Sequence, residues 1–260
     1  MAKSVATRPI DRIDTAPRFT AADAHRLNNL FRGTDTLEML RTVLGERMLG
    51  DAAVVSSFGA ESAVLLDLIA RVDPATPVIF LETLKHFPET LAYRDTLVAH
   101  LGLTDLRIIQ PDPETLAKKD ESGLRWSYDP DGCCEIRKVI PLARALADFD
   151  ASITGRKAFQ ASTRAALPRF ELDASDTQGR IKFNPLVTWT SADLQAYLTE
   201  QDLPRHPLVE QGYPSIGCAP CTARVAPGED PRSGRWSGWD KTECGIHLPV
   251  PDGDPEQPSF

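Results

Sequence analysis

Apolar runs alternate with amphipathic stretches along most of this chain. Five apolar runs predict strands, and they cover 51–57, 77–82, 105–110, 151–155 and 180–186. The segments that follow the first two runs carry apolar residues at helical spacing and predict helices. An order of strand, helix and strand is typical of a doubly wound α/β fold, with a mainly parallel sheet and helices on both faces.

A further helix is predicted from its first residues. Thr190 is placed to cap this helix, and Asp193 follows three residues later as the acidic partner of a capping box. Trp189 and Leu194 occupy the positions of a hydrophobic staple. The apolar stripe that continues through Tyr197 is interpreted as core packing rather than as part of a functional site.

The chain is predicted to consist of four consecutive parts. A helical extension over 1–45 precedes a nucleotide-binding α/β domain over 46–205, and no internal repeat is apparent. The segment 206–248 is rich in proline and glycine and holds three of the five cysteines, so it predicts an ordered, cysteine-rich loop region. The acidic, proline-rich tail 249–260 is expected to be disordered.

Composition narrows the class of protein. The chain has 260 residues, of which 42% are hydrophobic and 25% charged, and its formal net charge of −8 argues against broad electrostatic binding of nucleic acid. The first residues lack the apolar core of a secretory signal, and no run of about 18 apolar residues predicts a membrane span. We therefore expect a cytoplasmic protein, because in a reducing compartment thiolates bind metals rather than pair as disulfides.

The cysteines carry the strongest chemical signal. Cys133 and Cys134 are adjacent, Cys218 and Cys221 form a Cys-x-x-Cys, and Cys244 stands apart. Two close pairs are typical of a four-thiolate centre that holds zinc or an iron–sulfur cluster. Adjacent cysteines reach a single tetrahedral ion with difficulty, whereas a cubane spreads its irons over a larger volume. The spacing therefore favours [4Fe–4S] over zinc.

Cys244 is left over as a candidate nucleophile. Lys241, His247 and the arginines upstream favour the thiolate, which is the nucleophilic form of cysteine. The alternative is a passive buried cysteine, but the surrounding sequence Glu-Cys-Gly-Ile-His is polar. The segment 236–250 is expected to be a mobile lid that closes for the reaction and opens afterwards.

A candidate anion site lies at the carboxyl edge of the predicted sheet. The loop SSFGAES follows the first strand and opens a helix, whose unpaired N–H groups can bind an anion beside Ser57 and Gly59. The loop matches neither a Walker A motif nor a dinucleotide fingerprint. His86 follows the second strand and is interpreted as structural rather than as a general base. The basic run 156–169 follows the fourth strand. We expect it to meet the loops after the first and second strands at the same edge of the sheet. The alternative is that its basic side chains lie on a solvent-exposed surface.

Several motifs in this order resemble those of one family. They are SSFGAES, LETLKHFPET, DPDGCCEIRKV, TGRKAFQASTRA, GYPSIGCAPC, PGEDPRSGRW and KTECGIH, and they extend from about residue 45 to residue 248. Through them the chain resembles the assimilatory adenylyl-sulfate reductases, which belong to the wider group of phosphoadenylyl-sulfate reductases.

The resemblance implies a fold, a cofactor and a reaction. The fold is of the adenine-nucleotide alpha-hydrolase-like type, and the cofactor is a [4Fe–4S] cluster. Adenylyl sulfate is reduced to sulfite and AMP through a Cys-S-sulfonate, with electrons from thioredoxin or glutaredoxin. This reaction belongs to assimilatory sulfate reduction and cysteine biosynthesis.

The resemblance also implies roles for individual residues. Cys244 matches the nucleophile, and Lys138 matches a lysine between the cluster and the substrate. Glu82 departs from the aspartate of many members, and Arg224 lies one residue later than the corresponding arginine. The cluster ligands are matched by Cys133, Cys134, Cys218 and Cys221. The positions around the phosphosulfate or the reactive thiol are matched by Ser57, Arg164, Arg232, Arg235 and His247.

Other functions stay open at this point. The nearest is the same reaction on 3′-phosphoadenylyl sulfate, although members strict for that substrate lack the four cluster cysteines. A more distant one is an ATP-dependent, tRNA-modifying transferase with a cysteine-bound metal, a class that usually has a Ser-Gly-Gly-x-Asp-Ser loop and a basic surface. A binding module with structural zinc would leave Cys244 unexplained. A homo-oligomer is an open possibility.

Overall fold

The computed structural model describes residues 17–160, 164–239, 241 and 245–247, and a six-stranded sheet lies at its centre. The sheet has the strand order β3-β2-β1-β4-β6-β5, and neighbouring strands are parallel except for β5 and β6. This confirms the predicted doubly wound, mainly parallel sheet. The strands are β1 (Ala52–Val55), β2 (Val78–Leu81), β3 (Leu106–Ile109), β4 (Ala151–Thr154), β5 (Phe170–Leu172) and β6 (Ile181–Phe183).

Strand β5 was missed by the sequence analysis, which predicted five strands. Phe170 of β5 lies opposite Phe183 of β6, and their rings stack with centroids 4.5 Å apart. Gly179, in the turn between the two strands, has a φ of +82°, and a β-carbon there would clash with the carbonyl oxygen of Phe19. β6 lies within the longer apolar run 180–186, whereas Phe170–Leu172 belongs to no such run, so its pairing with β6 defines β5.

The helices predicted from the sequence are present. The segments after the first two strands form α3 (Ser62–Ala70) and α4 (Pro88–Leu101), and the predicted capping box begins α8 (Ser191–Glu200). Its Thr190 hydroxyl accepts the N–H of Asp193 at 3.2 Å, and the Asp193 carboxylate accepts the N–H of Thr190 at 2.8 Å. A π-helical turn, Glu135–Val139, joins α6 to α7. The helices are α1 (Ala21–Leu30), α2 (Thr36–Gly45), α3 (Ser62–Ala70), α4 (Pro88–Leu101), α5 (Pro113–Lys119), α6 (Pro130–Cys134), α7 (Ile140–Ala145) and α8 (Ser191–Glu200).

Apolar side chains cover both faces of the sheet, because successive residues of a strand point to opposite sides. On one face, Val54 packs with residues of α1 to α4 and α8, including Leu194 of the predicted stripe. On the other face, Ala53 and Ile79 pack with Leu142 of α7. Each large side chain buried in this way stabilises the fold by roughly 1.5–3 kcal/mol. Helices therefore lie on both faces, as predicted.

The described residues beyond Pro204 form a loop region outside the six-stranded sheet. Its described residues form turns, including the short 3₁₀ turn Ala219–Cys221. Over the described ranges, no helix has the length and apolar character needed to cross a membrane. The boundaries at 45, 205 and 248 stay predictions, and the tail 249–260 lies outside the described residues.

Candidate active site

The carboxyl ends of β1, β2 and β4 open into a cavity of about 500 Å³, here called the main cavity. It lies where the strand order reverses, since β2 and β4 flank β1 on opposite sides. Ligands of open α/β sheets usually bind at this point. The three loops thus converge as predicted. The predicted substrate residues on the cavity wall are Ser57, Gly59, Lys138, Arg164, Arg232 and Arg235.

The loop after β1 presents its polar residues to the main cavity. Phe58 has a φ of 49° and is fully buried, which turns its ring into the core and leaves Ser57 exposed. The N–H of Phe58 donates to the hydroxyl of Ser56 at 3.2 Å and stabilises this turn. A β-carbon at Gly59 would lie 3.4 Å from the carbonyl oxygen of Ile216, an ordinary contact. Packing within the chain therefore does not require this glycine, and approach of a ligand stays its predicted reason.

Arg156 and Lys157, directly after β4, lie in the wall of the main cavity and not on a solvated surface. Both side chains are buried. An ion pair with Glu171 holds Arg156, and the Lys157 ammonium lies 2.7 Å from the Glu61 carboxylate. Burial lowers the pKa of Lys157, and Glu61 opposes that shift. The basic run 156–169 was predicted to join the other loops at this edge of the sheet, and these two residues of it do so, although they were not among the predicted substrate-binding residues.

The four paired cysteines line one small cavity next to the main cavity, here called the cysteine cavity. Cys133 and Cys134 end α6, whereas Cys218 and Cys221 stand at the 3₁₀ turn. All four are free thiols, and Cys221 alone of the four is not fully buried. Burial raises the pKa of Cys221 to about 11, and Cys218 and Cys133 add to the shift, so these thiols lie within electrostatic range. Among the described side chains, no group of three or more His, Cys, Asp or Glu is arranged to hold a single metal ion.

The loop after β2 fixes the position of the second cysteine pair. His86 and Cys218 form an isolated antiparallel β-bridge, and the N–H of Ala219 donates to the Lys85 carbonyl at 2.7 Å. The hydroxyl of Thr83 lies 3.4 Å from the sulfur of Cys218. A segment from the C-terminal part of the chain is thereby held against the sheet.

The π turn brings two basic residues to the cysteines. Arg137 is buried, pairs with Asp120 at 2.6 Å and donates to the carbonyl of Thr83 at 2.9 Å. Lys138 lines both the cysteine cavity and the main cavity. Turns of this kind are rare and often occur at functional sites. Lys138 therefore lies between the two cavities, and its place between a cluster and a substrate stays a prediction.

His86 has the structural contacts expected of it. Its ring packs on Phe80 with centroids 5.0 Å apart, and its Nε2 donates to the carbonyl of Leu81 at 2.9 Å. Burial lowers the pKa of His86, although Leu81 and Glu82 oppose the shift. The ring also borders the main cavity.

Glu82 and Arg224, which depart from the pattern of the resembling family, each have contacts within the chain. The carboxylate of Glu82 is buried and accepts the N–H of Leu84 at 2.8 Å, so it stabilises its own loop. Arg224 is exposed, and its guanidinium lies 5.6 Å from the centroid of the Tyr213 ring. Arg224 is absent from the described lining of the main cavity.

Arg235 passes close to the backbone that precedes Cys218. A β-carbon at Gly217 would clash with its guanidinium, which lies 4.4 Å from the centroid of the Trp236 ring. Gly217 therefore leaves the space that the guanidinium of Arg235 occupies beside the main cavity.

The residues on either side of Cys244 lie against α6 and the π turn. Lys241 forms an ion pair with Asp131 of α6, and the short turn Gly245–His247 packs on the π turn. Cys244 itself and the side chain of His247 lie outside the described residues, so their predicted roles and the predicted lid stay predictions.

Known proteins resemble this chain in sequence and in structure. The family described as "Phosphoadenosine phosphosulfate reductase domain" matches residues 51–224. An adenosine 5′-phosphosulfate reductase of Mesorhizobium japonicum is 52% identical over 241 residues, 93% of each chain. A phosphoadenosine 5′-phosphosulfate reductase of Gloeobacter violaceus is 47% identical over 206 residues, 78% of this chain and 85% of its own. The crystal structure of phosphoadenylyl-sulfate reductase from Candida auris, a phosphate complex, has 30% identity and a TM-score of 0.65, and the match covers 80% of this chain and 98% of that one.

Proposed function

This chain belongs to the phosphoadenosine phosphosulfate reductase family, as its motifs predicted, and we propose that it reduces adenylyl sulfate to sulfite and AMP. The observation that carries the proposal is the adjacency of the main cavity and the cysteine cavity, with Lys138 in the wall of both. The main cavity has the volume of a small-molecule site. Its wall also supplies Arg164, Arg232 and Arg235, which suit the negative charges of a phosphosulfate.

Adenylyl sulfate is the preferred substrate in this proposal. The M. japonicum relative carries that substrate in its name, whereas the G. violaceus relative is named for the 3′-phosphorylated nucleotide. The four cysteines favour adenylyl sulfate, because members strict for the other nucleotide lack them. The family match gives no support to a tRNA-modifying transferase or to a zinc-binding module.

A [4Fe–4S] cluster is the cofactor that suits the cysteine cavity. Four free thiols on one cavity are the ligand set of a cubane. Arg137 and Lys138 in the wall would offset the negative charge of four thiolates. When bound, the cluster supplies a local electrostatic field beside Lys138, and its redox state need not change.

The chemical step begins at Cys244. Its thiolate attacks the sulfur of the sulfate group, an S–S bond forms, and the bond from sulfur to the phosphate oxygen breaks with AMP as leaving group. Lys138 and the arginines of the main cavity stabilise the charge that moves onto the leaving phosphate. The protein is left with a sulfonate group on the sulfur of Cys244.

A dithiol reductant of the thioredoxin or glutaredoxin class completes the cycle. One of its thiolates attacks the sulfur of Cys244, and sulfite leaves with the electron pair of the broken S–S bond. The second thiol then resolves the mixed disulfide, so that the dithiol is oxidised by two electrons and the sulfur is reduced by two. A cytoplasmic location agrees with this need for reduced thiols.

The test is turnover of adenylyl sulfate by the anaerobically purified chain with reduced thioredoxin. The wild type should release sulfite and AMP and should carry about four iron and four sulfide per chain. Cys244→Ser should keep the iron and sulfide but form no sulfonate adduct, as seen by mass spectrometry of the protein. Turnover by Cys244→Ser would overturn the assigned nucleophile, and zinc without sulfide would overturn the cofactor.

A further inference from the structure

Glu61 and Lys157 form an ion pair across the point where the strand order reverses. The last residues of β1 and β4, Val55 and Thr154, are partners in the sheet, and the loops that leave them carry Glu61 and Lys157. The ammonium lies 2.7 Å from the Glu61 carboxylate, and the lysine side chain is 4% exposed. Both residues line the main cavity.

Glu61 also contacts a second basic residue of the cavity, Arg164, indirectly through the side-chain amide of Gln160. Its Oε2 atom accepts from the Gln160 amide nitrogen at 2.9 Å. The Gln160 amide oxygen in turn accepts from the Arg164 guanidinium at 2.6 Å. The amide is therefore oriented from both ends. One carboxylate holds Lys157 directly and Arg164 indirectly.

Basic residues outnumber acidic ones in the wall of the main cavity, so the carboxylate of Glu61 has a large effect on the local charge. Among the described lining residues, six are lysine or arginine and two, Glu61 and Asp230, are acidic. Such an excess of cations would attract nucleotides with one phosphate group or with several. A 3′-phosphate adds about two negative charges, and it needs a cation of its own. Lys157 is held by a carboxylate of the same wall, and a carboxylate next to a phosphate repels it as a like charge.

We propose that Glu61 is a specificity-determining residue. It occupies the ammonium of Lys157, so that this cation of the cavity wall is not available to a second phosphate, and its own charge repels such a phosphate. A nucleotide with an unmodified ribose is then preferred over its 3′-phosphorylated form. This inference rests on the proposed function, and it gives a physical reason for the preference for adenylyl sulfate.

The test compares the binding of AMP and adenosine 3′,5′-bisphosphate by calorimetry, on the anaerobically purified holoprotein. The wild type should bind AMP at least tenfold more tightly than the bisphosphate. Glu61→Gln should improve the bisphosphate affinity relative to AMP by tenfold or more, because it frees Lys157. The double variant Glu61→Gln/Lys157→Met should lose that gain. Glu61→Asp keeps the charge and should not show the gain.

A matched control separates this effect from a change in net charge. Glu114→Gln removes one carboxylate from the exposed helix α5, whose pair with Lys118 is 3.8 Å long and solvated, so the affinity ratio should stay at the wild-type value. A ratio in Glu61→Gln within twofold of wild type would overturn the inference. If Glu61→Gln does not fold, the affinity ratio of the wild type tests the inference, because equal affinity for AMP and the bisphosphate would also overturn the inference. A wild type that binds neither nucleotide would instead remove the proposed function.

Discussion

The hydroxyl of Thr83 lies 3.4 Å from the sulfur of Cys218, at a site where both residues are buried. The carbonyl of Thr83 accepts from Arg137, which belongs to the π turn after Cys133 and Cys134. One residue of the β2 loop therefore contacts the elements that carry both cysteine pairs. This contact holds the two cysteine pairs in position, as a supporting shell does for the ligands of a metal site.

Removal of this hydroxyl should weaken the retention of iron. Thr83→Val keeps the shape of the side chain, and loss of such a supporting contact typically costs 10–100-fold in metal affinity. We expect iron release to a chelator to become about tenfold faster or more. Thr36→Val is the control, because it removes a buried hydroxyl that contacts Trp189 far from the cysteines. Equal rates in Thr83→Val and wild type would contradict the prediction.

Lys138 should act in turnover rather than in folding. Loss of one preorganised charge-stabilising group typically costs about 100–1,000-fold in rate, so Lys138→Ala should lose about that much in kcat/KM for adenylyl sulfate. Lys138→Arg should recover part of the loss, and the iron content should stay unchanged. Lys118→Ala removes an exposed lysine of α5 and should have wild-type kinetics. A Lys138→Ala variant with wild-type kinetics would remove the residue from the proposed mechanism.

The buried pair of Asp120 and Arg137 should be needed for stability. Both side chains are at most 5% exposed, and their charged atoms lie 2.6 Å apart. Asp120→Asn leaves the guanidinium charge buried without its counter-charge, which costs about 3–5 kcal/mol. We expect the melting temperature, measured by circular dichroism, to fall by roughly 10 °C. Glu114→Gln breaks an exposed ion pair and should change the melting temperature by little. A similarly small change in Asp120→Asn would contradict the prediction.

Stability should fall in acid because His206 is buried in its neutral form. Its ring nitrogens contact the Thr90 hydroxyl at 3.1 Å and the N–H of Leu208 at 3.2 Å. Burial lowers the pKa of His206 from 6.5 to about 4. Between these values the unfolded chain binds a proton that the folded chain does not, so stability is full above pH 6.5 and is lost as the pH falls to 4.

The loss attributable to His206 should reach at most about 3 kcal/mol at pH 4. It should appear as a melting temperature that declines between pH 6.5 and 4. His206→Gln has no group that titrates in this range and should flatten that part of the profile. His25→Gln, at an exposed position of α1, should keep the wild-type profile. An unchanged slope in His206→Gln would show that other groups cause the decline.

Features that depend on neighbouring residues could be predicted from the sequence. Strand positions follow from apolar runs, and the start of α8 follows from Thr190 and Asp193, because both signals are local. The two cysteine pairs, the loop at Ser57 and Gly59, and the family itself were also readable from short motifs. Five of the six strands and the location of the candidate site were predicted on this basis.

Features that depend on residues far apart in the chain could be seen in the folded structure alone. β5 forms because Phe170 pairs with Phe183 of β6 across a turn. Lys138 lies in the π turn, and its side chain lines both cavities. The basic run after β4 could have been a solvated face, and burial of Lys157 against Glu61 is what places it in the site. Charge and spacing in a sequence show which side chains are available. Which of them are buried, and which opposite charge each one meets, is fixed by long-range packing.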